Sequence, residues 1–197
     1  MSGPPQEPAH SRGRTACVTR RRALELTGLG ALSLLVPRVM AATAGPPKDV
    51  RERSLHFYNT HTGEALERVY FAEGAYLGSA LAEIDYVLRD HRTNEVKPID
   101  RRLLDLLYGL RVSLEASDAY HVISGYRSQK TNEMLRARGS GVGVQSLHLY
   151  GMAIDVSVPG RDVAFVRKAA VGLLAGGVGY YPSPGFVHLD VGRVRAW

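Results

Sequence analysis

The chain has 197 residues and a mass of 21.5 kDa, enough for one ordinary domain and a short appendage. Its 45% apolar and 22% charged residues match the globular average and exclude wholesale disorder. A single Cys excludes an intramolecular disulfide and any zinc site built from Cys. The net charge of +6 is unevenly spread: residues 1–44 carry six Arg against Glu7 and Glu25, whereas the other 153 residues hold 19 basic and 17 acidic side chains. With no basic stripe on the body of the chain, a nucleic-acid partner is not expected.

The N-terminal 44 residues read as an export signal. A polar segment ends in Thr19-Arg20-Arg21-Arg22-Ala23-Leu24, a mildly apolar run follows from Leu24 to Val36, and Ala42-Thr43-Ala44 supplies the small-x-small pattern of a signal peptidase site. The paired Arg and the Gly-bearing apolar run resemble a twin-arginine signal. Ala23 and Glu25 depart from its usual Phe and Lys. A retained anchor is the alternative, but thirteen residues are short for roughly 30 Å of hydrocarbon. Cleavage after Ala44 leaves a mature chain without Cys, which suits an oxidising periplasm, and no stable membrane insertion is expected thereafter.

Residues 45–53 read as a linker and 54–197 as the folded domain. Leu55 to Tyr58 and Glu67 to Phe71 are strand-like runs around His61-Thr62-Gly63, a hairpin signature. Leu77, Leu81, Ile84, Val87 and Leu88 follow a helical period, as do Ile99, Leu103, Leu106, Leu107, Leu110 and Leu114, with Asp100 placed to cap the second helix. A short strand over Tyr120–Ser124, a polar helix over Gln129–Arg138 and a Gly-rich loop over 139–143 come next. Met152–Val158 alternates like a core strand, and Asp162–Leu174 reads as a helix stopped by Gly176-Gly177. Two closing strands, Val178–Tyr181 and Phe186–Val191, complete an α+β pattern. The expected fold is a small, mostly antiparallel sheet flanked by helices.

Two of the His stand out by their company. His148 follows the Gly-rich loop, and Asp155 lies seven residues on, inside an apolar strand where a carboxylate is costly unless paired or bound to a metal. His188 sits in the strand Phe186-Val187-His188-Leu189-Asp190, with Asp190 on the same face by the two-residue period. Two imidazoles and a carboxylate make a three-ligand set that leaves a fourth position open, the pattern of catalytic zinc. Hydrogen-bonded core His residues and an Asp155–Arg127 salt bridge are the competing readings.

These residues carry a resemblance. Ser-x-His-x-x-Gly-x-Ala-x-Asp (146–155) is preceded by Ser124-Gly125-Tyr126-Arg127-Ser128. It is followed by Gly177-Val178-Gly179-Tyr180-Tyr181 and the ending Phe-Val-His-x-Asp-x-Gly-x-x-Arg-x-Trp. Together they resemble the murein endopeptidase K family of exported zinc peptidases, relatives of D-alanyl-D-alanine metallocarboxypeptidases and, more remotely, of the hedgehog domain. The resemblance covers residues 53–197. It implies one Zn2+ on His148, Asp155 and His188, and peptidoglycan stem peptides as substrate.

It also implies that Arg127 faces the metal, where its fork suits a substrate carboxylate or an oxyanion. Related carboxypeptidases place a Glu or His two or three positions before the last zinc His. Here those positions are Gly185 and Phe186. Asp190 is therefore a candidate for the catalytic base and equally for an acceptor that orients His188. Ser146 and Tyr181 are candidate substrate-binding residues, Asn132 is expected to tie its helix to a loop, and Trp197 to pack as a terminal plug. Cleavage within cross-links is the leading reading. A D,D- or L,D-carboxypeptidase and a non-catalytic peptidoglycan-binding module are the alternatives.

Overall fold

A computed structural model describes residues 51–139 and 141–197. The expected signal segment, residues 1–44, lies outside the described residues. Strand β1 already begins at Glu52, so the last residues assigned to the linker belong to the sheet. Among the described residues no helix is long and apolar enough to cross a membrane.

β1 (Glu52–Asn59) and β2 (Ala65–Ala72) form the expected antiparallel hairpin, and β3 (Ala75–Tyr76) adds a two-residue edge. Helices α1 (Gly78–Val87) and α2 (Arg101–Ser113) follow, then β4 (Tyr120–Ser124) and α3 (Gln129–Ala137). A 3₁₀ turn (Leu147–Tyr150) leads into β5 (Ala153–Ser157). After it come α4 (Val163–Gly172), β6 (Gly177–Tyr181), β7 (Phe186–Asp190) and β8 (Arg195–Ala196). The helix starts obey capping chemistry. Asp100 accepts from the Arg102 amide, Asp162 from those of Ala164 and Phe165, and Ser128 from that of Thr131.

The sheet corrects the expectation of a small, mostly antiparallel one. It has eight strands in the order β3-β2-β1-β4-β5-β7-β6-β8 and is mixed, because β1 pairs with β4 and β6 with β8 in parallel. The β1–β4 pair is closed by the α1–α2 crossover, as parallel neighbours require. Two-residue strands such as β3 and β8 are too short to leave a periodic signature in sequence.

Alternation along the strands divides the sheet. Ile154 and Val156 of β5 and Val187 and Leu189 of β7 enter the core with Ile84, Leu103, Leu107, Leu110 and Val166 from the helices. Asp155, His188 and Asp190 therefore project from the opposite face. Close backbone packing holds the 3₁₀ turn against this face. Gly151 ends the turn at φ 67°, and a Cβ there would strike the Pro98 carbonyl, so both the left-handed backbone and the contact demand glycine.

The segment that carries Arg127 is anchored by Asp90. This buried carboxylate accepts from the Ser128 amide at 2.9 Å, the Ser128 hydroxyl at 2.7 Å and the Arg92 amide at 2.9 Å. Burial pushes the Asp90 carboxyl up, but the hydrogen bonds from Thr131, Ser128 and Arg92 outweigh it and bring its pKa to about 2. Because the folded value lies below the unfolded one of about 3.9, this stabilisation is present above pH ~4 and is lost as the pH falls toward ~2. Asp90→Asn should lower the unfolding free energy at neutral pH by about 2 kcal/mol. In urea denaturation the gap between variant and parent should close over that acidic window; a gap independent of pH would refute the charged anchor.

Candidate metal centre

Strand register assembles the site. Ser124 on β4 pairs with Asp155 on β5, Asp155 with His188 on β7, and His188 with Gly179 on β6, giving one row of side chains across four strands. Two residues along on the same face, a second row runs Ala153, Asp190, Gly177 and Arg195. His148 comes down onto the first row from the 3₁₀ turn, in which it is buried.

Three atoms converge there. His188 Nδ1 lies 2.8 Å from Asp155 Oδ1, His148 Nε2 lies 3.3 Å from the same oxygen, and the two ring nitrogens are 3.2 Å apart. Each imidazole spends its other nitrogen outward. His148 Nδ1 is 2.7 Å from the Gly125 carbonyl, which can only accept, so that nitrogen carries the proton. His188 Nε2 likewise donates to Asp190 Oδ2 at 3.1 Å. With both rings neutral, the inward atoms would be lone pairs facing a carboxylate oxygen, an arrangement that repels itself unless a proton or a metal cation sits among them.

The spacing suits a small divalent ion. Nitrogen and oxygen ligands at 2.0–2.2 Å in a tetrahedral shell stand about 3.3 Å from one another. Among the described residues, His148, Asp155 and His188 form the one His/Cys/Asp/Glu group with ligand atoms close enough to hold a metal. Burial pulls His188 down, yet Asp155 and Asp190 raise it above the ordinary imidazole range. Burial would raise Asp155 as well, but the two His hold its carboxyl far below the usual range.

Around this centre the remaining candidates take distinct places. Arg127 is buried, with Nε donating to Ser124 Oγ at 2.9 Å and Nη2 to Asp155 Oδ2 at 2.5 Å, while the side chain still lines the cleft. Asp190 is 0% exposed. It accepts from the amides of Gly177 and Gly192, from both Nη atoms of Arg195 and from His188. Ser146 and Tyr181 line the same cleft of about 380 Å³, together with Gly141, Val142 and Gly143. Asn132 ties α3 to that loop, donating to the Gly143 carbonyl at 3.2 Å. His61 and His91 stack on each other with ring centroids 3.8 Å apart.

Sequence reasoning missed the contribution of β8. Arg195 clasps Asp190, and Trp197 lies against His188 with ring centroids 5.4 Å apart. Trp197 is not a buried plug, since 48% of it is exposed. The Arg-x-Trp ending was the available signal, but its reach to the site depends on the β6–β8 pairing.

The fold brings two His and one Asp together as a group that could hold a metal on one face of a mixed sheet, and comparison with known proteins gives the family. The profile of the M15_2 peptidase family, described as peptidoglycan L,D-endopeptidase MepK, matches residues 48–197. Peptidoglycan L,D-endopeptidase MepK of Escherichia coli is 41% identical over 178 residues, 90% of this chain and 96% of that protein. The protein of the same name in Shigella flexneri matches equally. The probable peptidoglycan L,D-endopeptidase MepK of Haemophilus influenzae is 37% identical over 179 residues, 90% and 95% of the two chains. The chain belongs to this family of M15 peptidases.

Elemental analysis of the purified protein should find about one divalent ion per chain. His148→Ala or His188→Ala should remove it and lower the melting temperature of the metal-loaded protein toward that of the metal-free one, because ligands from three segments couple binding to folding. A wild-type protein that stays metal-free after refolding with zinc would eliminate the site.

Proposed function

We propose that this chain is an exported, zinc-dependent peptidoglycan endopeptidase that hydrolyses amide bonds in stem-peptide cross-links of the L,D type named in its relatives. The observation that carries the reading is the convergence of His148 Nε2, His188 Nδ1 and Asp155 Oδ1 at the floor of an open cleft. His148, Asp155 and His188 hold the ion. When bound, zinc supplies a Lewis acid that polarises the scissile carbonyl and acidifies water.

The chain's own residues do the positioning. Ser124 and Asp155 fix the Arg127 guanidinium on one side of the centre, where its remaining N–H groups serve a substrate carboxylate or the developing oxyanion. Asp155 thus has two tasks, as a ligand and as the counter-ion that keeps Arg127 in place. The five donors around Asp190 favour a positioning role over that of a base. Its oxygens are occupied, and it fixes the His188 tautomer so that Nδ1 points inward. Ser146 and Tyr181, which line the cleft, offer hydroxyls to the peptide. The N-terminal Arg20-Arg21-Arg22 run and its apolar sequel favour a periplasmic location reached by the twin-arginine route.

Mass spectrometry of cross-linked muropeptides incubated with the zinc-loaded mature protein tests the function. An endopeptidase splits a dimer into two stems. Loss of a single terminal residue would identify a carboxypeptidase, and unchanged masses a binding module. In the same assay Asp190→Asn should weaken metal affinity about 10- to 100-fold, with cleavage recovering in excess zinc. Retained zinc with cleavage reduced by two or more orders of magnitude, roughly the scale for a lost proton-transfer group, would make Asp190 the base instead. For export, replacing Arg20-Arg21-Arg22 by Lys should leave precursor in the cytoplasm; undiminished export would refute the route.

A further inference from the structure

We propose that Trp197 is a substrate-contacting residue, its half-exposed side chain meeting the stem peptide on the side of the metal opposite Arg127. The inference rests on the peptidase reading above and adds the residue that orients the peptide across the cleft.

The ring is fixed from several directions, and Trp197 still keeps 48% of its surface exposed. The β6–β8 ladder continues through Trp197, whose amide donates to the Val178 carbonyl at 3.1 Å and whose carbonyl accepts from Tyr180 at 3.0 Å. Its Nε1 donates to the Tyr181 hydroxyl at 3.2 Å, and the Arg195 guanidinium sits 4.8 Å from the ring centre. Gly179 makes room: a Cβ there would lie 2.8 Å from Cζ2 of the Trp197 ring. A plug would give up its solvent contact, whereas this ring is held in place and remains half exposed at the cleft wall.

The row across the sheet gives the direction. Arg127 stands over its Ser124–Asp155 end and Trp197 over its His188–Gly179 end, with the ligand atoms between them. Strands about 4.8 Å apart make the row roughly 14 Å long, about four residues of extended peptide. Arg127 stands at one end; at the other, Tyr181 and Phe186 stack at 4.7 Å beside Trp197, where the Arg195 guanidinium is paired with Asp190. A peptide that puts its anionic group at Arg127 therefore lays an amide plane and the adjoining aliphatic stem against Trp197.

Trp197 is the one Trp in the chain, so its fluorescence reports this position alone. In the zinc-loaded protein, saturating stem peptide from the cleavage reaction should protect it from acrylamide quenching. Trp197→Ala should raise KM for cross-linked muropeptides by about 2- to 12-fold, the range of an aromatic contact, with kcat and zinc content unchanged and with Trp197→Phe recovering much of the loss. Unaltered quenching at saturating stem peptide, or an unchanged KM in Trp197→Ala, would overturn the inference, as would a loss of zinc and kcat in that variant. If the wild-type protein cleaves no muropeptide, the peptidase reading fails first, and the two failures are told apart.

Discussion

The structure turns on a carboxylate buried in the middle of a sheet. Asp155 occupies an inner strand where an unpaired charge would be prohibitively costly, and three cationic or polar partners meet it there: Arg127 at 2.5 Å, His188 at 2.8 Å and His148 at 3.3 Å. Each partner comes from a different segment. Satisfying one charge therefore pulls the loop after β4, the 3₁₀ turn and β7 to a single point. The apolar neighbours Ile154 and Val156 fasten the same strand to the core from the other side. Folding energy and site geometry are thus joined through one strand.

The residues that touch His148, Asp155 and His188 are as closely specified as those three candidate ligands. Backbone serves on one side, through the Gly125 carbonyl, and a carboxylate on the other, through Asp190. Asp190 is in turn enclosed by two amides and by Arg195, so the orientation of His188 depends on a strand of two residues at the edge of the sheet. The same strand carries Trp197 to the cleft. An edge strand that would contribute little to stability by its length has its main effect on the site.

The cleft is chemically asymmetric. Arg127 stands at one end of the row, and at the other Trp197, Tyr181 and Phe186 form an aromatic wall against which the Arg195 guanidinium lies. The Gly-rich loop closes the side with little side-chain bulk, tied down through Asn132. Peptide recognition by such a surface relies on backbone and planar contacts more than on deep side-chain pockets.

The local elements and the chemistry available to the site were legible in the order of the residues. Helical spacing of Leu103, Leu107 and Leu110, capping by Asp100 and Asp162, and alternation in Ile154-Asp155-Val156 and Val187-His188-Leu189 all depend on neighbours a few residues apart, and each is found in the structure. The two-residue period was also enough to put Asp190 beside His188. Packing between distant segments made the sheet mixed and eight strands wide, put Ser124, Asp155, His188 and Gly179 in one row, and brought Arg195 and Trp197 to the site. Register is set by packing between segments far apart in the chain, and a two-residue strand has no period of its own. The role of β8 therefore exists only after the sheet has formed beside it.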